Sequence, residues 1–311
     1  MIPLVILTGP TAVGKTGLSI ALAKAIGAEI INADSMQVYR GMDIGSAKIT
    51  PEEMEGVPHH LIDILEPTQD FSVYDFQQAA KASIQDITGR GKIPLLVGGT
   101  GFYIQALLKD VDFNEEAVDG DYRAMLQRLA EEEPLKLHQM LQEIDPAAAA
   151  KIHPNNLKRV MRALEFARVN GSAISEHNRQ QKNKPSPYNF AYFVLERDRA
   201  LLYARIDARV DAMMEVGLLE ETERLRAEGL KEGMTAAHGL GYRELLRYLE
   251  GKCTLEEAVR LIKQNTRHYA KRQLTWFRRE PDVIRLDADR FTDGELLGQI
   301  QKILMGKKIL L

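Results

Sequence analysis

Eight consecutive residues, Gly9-Pro10-Thr11-Ala12-Val13-Gly14-Lys15-Thr16, read G-x-x-x-x-G-K-T. Glycines at these places let the backbone curl so that its N–H groups point inward at an anion. The lysine then reaches the outer phosphate, and the threonine hydroxyl holds a magnesium ion. Such a loop binds phosphates when it joins a strand to a helix, and both neighbours are present. Leu4-Val5-Ile6-Leu7 precedes it as a short apolar run, and Leu18, Ala21, Leu22 and Ala25 follow at helical spacing. The helix N-terminus adds partial positive charge. The expected chemistry is the handling of a diphosphate or triphosphate with Mg2+ as cofactor. The loop alone does not say what is transferred.

Other polar residues fall where strands end. Glu29-Ile30-Ile31-Asn32-Ala33 reads as a second strand that delivers Asp34-Ser35-Met36-Gln37 to a loop. Ligands of open α/β sheets bind at the carboxyl ends of strands, which places Asp34 near the phosphate loop. Its carboxylate serves either a ligand or an ordinary turn or helix cap, and position alone leaves both open. Pro94-Leu95-Leu96-Val97 is a third strand, and Gly98-Gly99-Thr100-Gly101 is a second glycine-rich turn into a helix. Two such turns on neighbouring strands face one pocket, which singles out Thr100. His59 and His60 are adjacent in an irregular stretch and lack the i,i+4 spacing of a helical metal pair, so they read as loop residues. Arg205 and Arg209 lie four apart on a helix, where surface ion pairing is the default.

The chain that positions these residues has 311 of them, enough for a large domain or a core with an extra lobe. Cys253 is the single cysteine, which excludes an internal disulfide and a cysteine zinc cluster. No apolar run is long enough for a bilayer, and Met1-Ile2-Pro3-Leu4 lacks a signal-peptide n-region, so a cytoplasmic protein with no membrane partner is expected. The net charge of −3 does not advertise a nucleic-acid binder. The basic residues are, however, unevenly placed. From Asp112 to about Tyr188 helical patterns replace strands: 122–132, 134–143 and 154–169. Between Lys151 and Lys184 eight basic residues face two acidic ones. Such a stretch in a slightly acidic protein suggests a polyanion partner, and Arg123 could join it. Residues 182–187 read as a linker.

Phe190 to Leu195 returns to strand. Arg199 to about Arg226 reads as one long amphipathic helix, and Gly229 to Gly241 as a mobile glycine-rich loop. Thr254 and Glu257 form a capping box for a helix on which Arg260, Lys263, Arg267 and Lys271 share one face, a candidate phosphate-backbone contact. Trp276 and Phe277 at its end read as core residues. Val283 to Leu286 is a last strand, and Thr292 with Glu295 caps a last helix.

Taken together these residues resemble the tRNA dimethylallyltransferases, also called tRNA isopentenyltransferases. The resemblance rests on the Gly9–Thr16 loop, on residues 32–45 and 57–61, and on Gly98-Gly99-Thr100-Gly101-Phe102-Tyr103. It continues through residues 158–165 and 209–213 to residues 269–277. The phosphate loop is widely shared, whereas Asp34-Ser35-Met36-Gln37-Val38-Tyr39 and Lys271-Arg272-Gln273-Leu274-Thr275-Trp276 are far more specific. The resemblance implies an α/β fold: a P-loop parallel-sheet core (1–112 and 189–311) with an inserted all-helical tRNA-binding domain (113–188). It implies transfer of a dimethylallyl group from its diphosphate to the exocyclic amine of the adenosine 3′ of the anticodon. Asp34 would be the general base, with Thr100 and Arg209 as diphosphate contacts beside the loop. Ser35, Met36 and Gln37 would line a flipped adenine, and Lys158, Arg159, Val160, Met161, Arg162, Lys271 and Arg272 would meet tRNA. The partners implied are tRNA and dimethylallyl diphosphate, acting on a monomer. Unlike eukaryotic relatives, the chain has no Cys/His module after its last helix.

The rival readings are a prenyltransferase acting on free adenine nucleotides, a small-molecule P-loop kinase and a non-catalytic RNA-binding ATPase. The first has no use for a basic helical insertion. The other two turn over ATP without modifying a base.

Overall fold

The computed structural model describes residues 1–113, 119–182 and 184–310. Asn183 and the Lys182 side chain, part of the linker expected over 182–187, lie outside the described residues. Strand β1 (Ile2–Thr8) buries every residue from Leu4 onward. A run covered on both faces belongs to a parallel sheet with helices above and below. Helix α1 (Lys15–Ile26) ends at Gly27, whose φ of 64° supplies the left-handed cap. Strand β2 (Ala28–Asn32) is wholly buried. A short α2 (Pro51–Met54) leads to β3 (His59–His60), which pairs with β2 through Ile30↔His59 and Ile31↔His60. Those two histidines are therefore strand, not loop. Two residues carry no periodicity, and only the neighbouring strand recruits them. Helix α3 (Val73–Gly89), opened by a Ser72–Asp75 capping box, precedes β4 (Ile93–Gly98) and α4 (Gly101–Leu108).

Five helices follow: α5 (Gly120–Glu132), α6 (Pro134–Ile144), α7 (Pro146–Ala149), α8 (Leu157–Asn170) and α9 (Ile174–Lys182). They enclose their own core of Leu126, Leu137, Leu141, Val160, Ala163 and Leu164. Buried Asp145 caps α7 through the Ala148 N–H (2.9 Å) and accepts from the Ser175 hydroxyl (2.6 Å), tying the start of α9 to that corner. Neither α7 nor α9 is periodic enough to be read from sequence.

The chain then forms β5 (Tyr188–Glu196), α10 (Arg199–Glu215), α11 (Leu218–Ala227), α12 (Tyr242–Leu249), α13 (Leu255–Phe277), β6 (Val283–Asp287) and α14 (Asp293–Gly306). The single helix expected from Arg199 to Arg226 breaks at Gly217, where φ is 102°. Its apolar stripe continues across the break, which hides the turn. The loop expected at Gly229–Gly241 contains a 3-10 turn at Ala236–His238, with Ala236 and Ala237 buried. Both capping boxes, at Thr254 and Thr292, form.

All six strands are parallel, in the order β3-β2-β4-β1-β5-β6. Residues 1–107 and 187–311 make one compact unit, and residues 108–186 another. In the first, α1 and α14 bring Leu18, Leu22, Leu296 and Ile300 onto Val5, Leu7 and Phe193 of the sheet. No helix among the described residues is long and apolar enough to cross a membrane.

Candidate functional site

The Gly9–Thr16 loop leaves the carboxyl end of the central strand β1 and enters α1. Gly9 has φ 151°, and a Cβ there would lie 2.5 Å from the Leu195 carbonyl oxygen, so only glycine fits. Ala12 (φ 63°) and Gly14 (φ 108°) also take left-handed conformations. For alanine this is a strained choice, the kind that clusters at ligand sites. The Lys15 ammonium lies back over the loop, donating to the carbonyls of Gly9 (3.0 Å) and Pro10 (2.9 Å). Burial pulls its pKa down to about 8; Asp34 opposes that shift and Arg209 adds to it.

Side chains from distant segments fix the loop's shape. Arg197 Nε donates to the Val13 carbonyl (3.0 Å), and Arg205 Nε to the Ala12 carbonyl (3.0 Å). Arg205 is thus a loop clamp rather than a surface ion pair. Buried Gln273 of α13 accepts from the Thr11 N–H (2.9 Å) and donates to the Gly99 carbonyl (2.9 Å). One amide therefore joins both glycine-rich turns. A Cβ on Gly99 would lie 2.2 Å from that amide nitrogen, which is why glycine stands there. Gln273→Ala should cost about 1–3 kcal/mol of stability in denaturant titration, because Thr11 N–H and Gly99 C=O lose their partner. Gln273→Glu should also destabilise, since a carboxylate cannot donate to Gly99.

Asp34 sits just past β2. Buried Asn32 shapes the turn: its amide donates to the carbonyls of Asp34 (3.2 Å) and Leu61 (3.1 Å), and its oxygen accepts from the Asp34 N–H (3.1 Å). Asp34 Oδ1 accepts from the Met36 N–H at 2.9 Å. Burial raises the Asp34 carboxyl above its ordinary range; the Met36 and Gln37 N–H groups and Lys15 oppose that. A second anchor holds the following loop. Buried Glu221 of α11 accepts from the N–H groups of Asp43, Ile44 and Gly45 and from the Tyr242 hydroxyl (2.6 Å).

These pieces surround one cavity of about 110 Å³. Thr11, Ala12, Gly14, Lys15 and Thr16 line it from the loop, with Asp34 and Gln37 after β2, Gly98 and Gly99 after β4, and Arg209 from α10. His59, Tyr269 and Gln273 also line it. Arg209 is partly buried, and burial followed by the neighbouring Arg205 charge lowers its pKa. Neither Arg205 nor Arg209 makes an ion pair among the described residues. The Thr100 hydroxyl is buried beside the Tyr269 hydroxyl, and Thr100 does not line the cavity. Gly9, Pro10 and Val13 shape the loop without lining the cavity, and Ser35 and Met36 are half-buried outside the lining.

The remaining predicted residues lie elsewhere. Lys271 and Arg272 are exposed on α13, with the Arg272 guanidinium 5.7 Å from the centre of the Tyr269 ring. The basic face of α13 is partly neutralised: Lys263 pairs with Asp211 (2.6 Å) and Arg267 with Asp207 (2.5 Å), both on α10. Phe277 is core as expected, while Trp276 is half-buried over Gly101 and edge-on to Phe102. In the helical unit Lys158, Arg159 and Arg162 are exposed on α8 and Met161 is half-buried. Val160 is fully buried, so its side chain belongs to the core and cannot line an RNA surface. Arg123 forms a two-pronged pair with Glu165 (2.6 and 3.1 Å), which commits it within the unit. The sequence assigns no role to Gln273, Arg197 or Glu221, and only an ion pair to Arg205. Only the Lys-Arg-Gln-x-Thr-Trp run carried a signal for any of them.

The family model "IPP transferase" matches residues 37–280. A tRNA dimethylallyltransferase of Lachnoclostridium phytofermentans is 56% identical, with 100% of each chain covered. One of Bacillus cytotoxicus is 49% identical over 97% of this chain and 95% of its own. The crystal structure of a tRNA isopentenylpyrophosphate transferase from Bacillus halodurans matches with TM-score 0.76 and 45% identity, covering 99% of this chain and 97% of that one. A structure described as a eukaryotic dimethylallyltransferase acting on tRNA matches with TM-score 0.78 and 33% identity, covering 93% and 74%.

Proposed function

The chain belongs to the tRNA dimethylallyltransferase family of transferases, and from that premise we propose that it moves the five-carbon group of dimethylallyl diphosphate to the exocyclic amine of the adenosine 3′ of the anticodon in tRNA. The observation that carries this reading is the shared cavity: one carboxylate, Asp34, opens onto the same space as Lys15, Arg209 and the amide-rich loop.

The adenine amine is delocalised into its ring and is a poor nucleophile. Asp34 takes its proton as the new C–N bond forms. The allylic C–O bond breaks with positive charge on carbon and negative charge on diphosphate. The amides of the Gly9–Thr16 loop, Lys15, Arg209 and the Thr100 hydroxyl neutralise those oxygens. A target base inside an anticodon loop must leave its stack to reach the cavity.

Magnesium fits the donor set. The ion keeps several waters and takes one or two protein oxygens together with substrate phosphates. Thr16 offers its hydroxyl at the cavity, and no cluster of three or more acidic, histidine or cysteine side chains among the described residues forms a site without substrate. When bound, Mg2+ would supply further charge neutralisation on the diphosphate.

The test uses labelled dimethylallyl diphosphate or ATP as donor, with tRNA or free adenine nucleotides as acceptor. Prenylated adenosine in tRNA, identified by mass spectrometry, is the expected product. Label moving only from ATP rejects the reading, and label moving only to free nucleotides replaces it with the nucleotide prenyltransferase.

In the helical unit Lys158, Arg159 and Arg162 share one face of α8 by i,i+3 and i,i+4 spacing. Replacing all three by glutamine should weaken tRNA binding. It should also lower the slope of log K against log salt by about two to three, close to one per phosphate contact. An unchanged slope removes α8 from the RNA grip.

A further inference from the structure

A second, smaller cavity of about 60 Å³ adjoins the first through shared residues Thr11, Ser46, Ala47 and Arg209. The rest of its lining is nearly all hydrocarbon. Ile206 and Val210 of α10 and Ile262 of α13 form buried walls, and Met213 and Leu240 are partly exposed members. Two of the three hydroxyls that line it are spent on the protein itself. Thr266 Oγ1 donates to the Ile262 carbonyl (2.7 Å), and Ser46 Oγ to the Met42 carbonyl (2.6 Å). Arg209 is its only charged member. The cavity therefore has a cationic end that it shares with the anion cradle and an apolar body that it does not share.

We propose that this cavity receives the hydrocarbon tail of the allylic diphosphate and that Met213 sets the longest chain accepted. The proposal rests on the function proposed above and adds to it the site and the size limit of the donor's tail. A diphosphate ester of a short branched alkene has the same polarity pattern: a multiply charged head joined to a small tail without hydrogen-bonding groups. The dimensions agree. One water needs roughly 10–15 Å³ of such space, so the cavity takes about four to six groups of that size, which suits five carbons and not ten. Arg209 and Met213 are four residues apart on α10, about 6 Å along the axis at 1.5 Å per residue. A tail whose head lies at Arg209 thus reaches Met213 near its fifth carbon. A second isoprene unit would have to pass through that side chain.

The experiment measures kcat/KM of the full chain for the C5 and C10 allylic diphosphates, with tRNA as acceptor, in the unaltered protein and in Met213→Ala and Met213→Trp. Each extra methylene in a filled pocket is discriminated about 10-fold or more, so the unaltered chain should prefer C5 by at least about 10²-fold. Met213→Ala should narrow that preference at least ten-fold, mainly by improving C10. Met213→Trp should raise KM for the C5 donor at least ten-fold while inhibition by inorganic diphosphate stays within about two-fold, because the cradle is untouched. C5 transfer with unchanged chain-length preference in Met213→Ala and unchanged KM in Met213→Trp overturns the tail site alone. Loss of diphosphate inhibition in parallel with the KM change in Met213→Trp also overturns it, since the effect then belongs to the fold. Failure of the unaltered chain to use either donor overturns the parent reading and the tail site with it.

Discussion

Asp34→Asn should lower kcat for prenyl transfer by about 10²–10⁴-fold, the usual worth of a general base, while tRNA binding stays nearly unchanged. The substitution is close to isosteric, and an asparagine oxygen can still accept from the Met36 N–H, so the turn built by Asn32 survives. What is lost is the capacity to take a proton from the adenine amine. Single-turnover rates with bound tRNA, set beside filter-binding affinities, separate the two effects. A rate equal to that of the unaltered chain would remove Asp34 from the mechanism.

The same carboxylate makes a prediction about stability. Burial raises its pKa in the folded chain above the ordinary 3.8. The folded state therefore binds this proton more tightly than the unfolded state does. That contribution is fully present below the unfolded value and disappears as pH rises through the raised folded value. Above that raised value the half-buried charge is a burden that the asparagine variant does not carry, so there Asp34→Asn should unfold at a higher temperature than the unaltered chain. The acid limb of kcat/KM should also follow the raised carboxyl pKa. A gain in stability with a loss of rate is the signature of a group held in place for chemistry.

Local signals decided what could be read in advance. The strands β1, β2, β4 and β5 each contain a short apolar run, and the Thr254–Glu257 and Thr292–Glu295 boxes mark helix starts within a residue. The α10–α11 break fails for the opposite reason. Leu202, Ile206, Val210 and Leu218 remain buried on both sides of Gly217, so the periodicity passes over a turn that one glycine creates. β3 exists only because β2 lies beside it. The site divides the same way. The loop, Asp34 and the Gly98–Gly101 turn sit at strand ends, where topology directs attention. The groups that hold them, Gln273 to Thr11 and Arg205 to Ala12, join residues hundreds of positions apart, and no spacing rule reaches that far. Two members of the α13 stripe, Lys263 and Arg267, have counter-charges, Asp211 and Asp207, on a different helix, where the spacing along α13 gives no sign of them.

Arg209→Leu should cut kcat by about 10²–10³-fold, the measured scale for losing one donor aimed at developing negative charge, and should stabilise the protein without ligand. Arg209 lines the cavity partly buried, with Arg205 nearby and no acidic partner among the described residues. A partly buried charge without a partner is unfavourable, and replacing it with an apolar side chain relieves that cost. Such a cation remains worthwhile only if an anion arrives to meet it. The diphosphate leaving group is that anion, most strongly as the C–O bond breaks, so the effect should fall on kcat more than on KM. Arg209→Lys should recover only part of the rate, since a point charge lacks the planar fork that grips two phosphate oxygens at once. Thermal unfolding and steady-state kinetics on the two variants decide the matter. If Arg209→Leu loses stability and keeps its rate, Arg209 is structural, and the anion cradle is limited to the Gly9–Thr16 loop and Thr100.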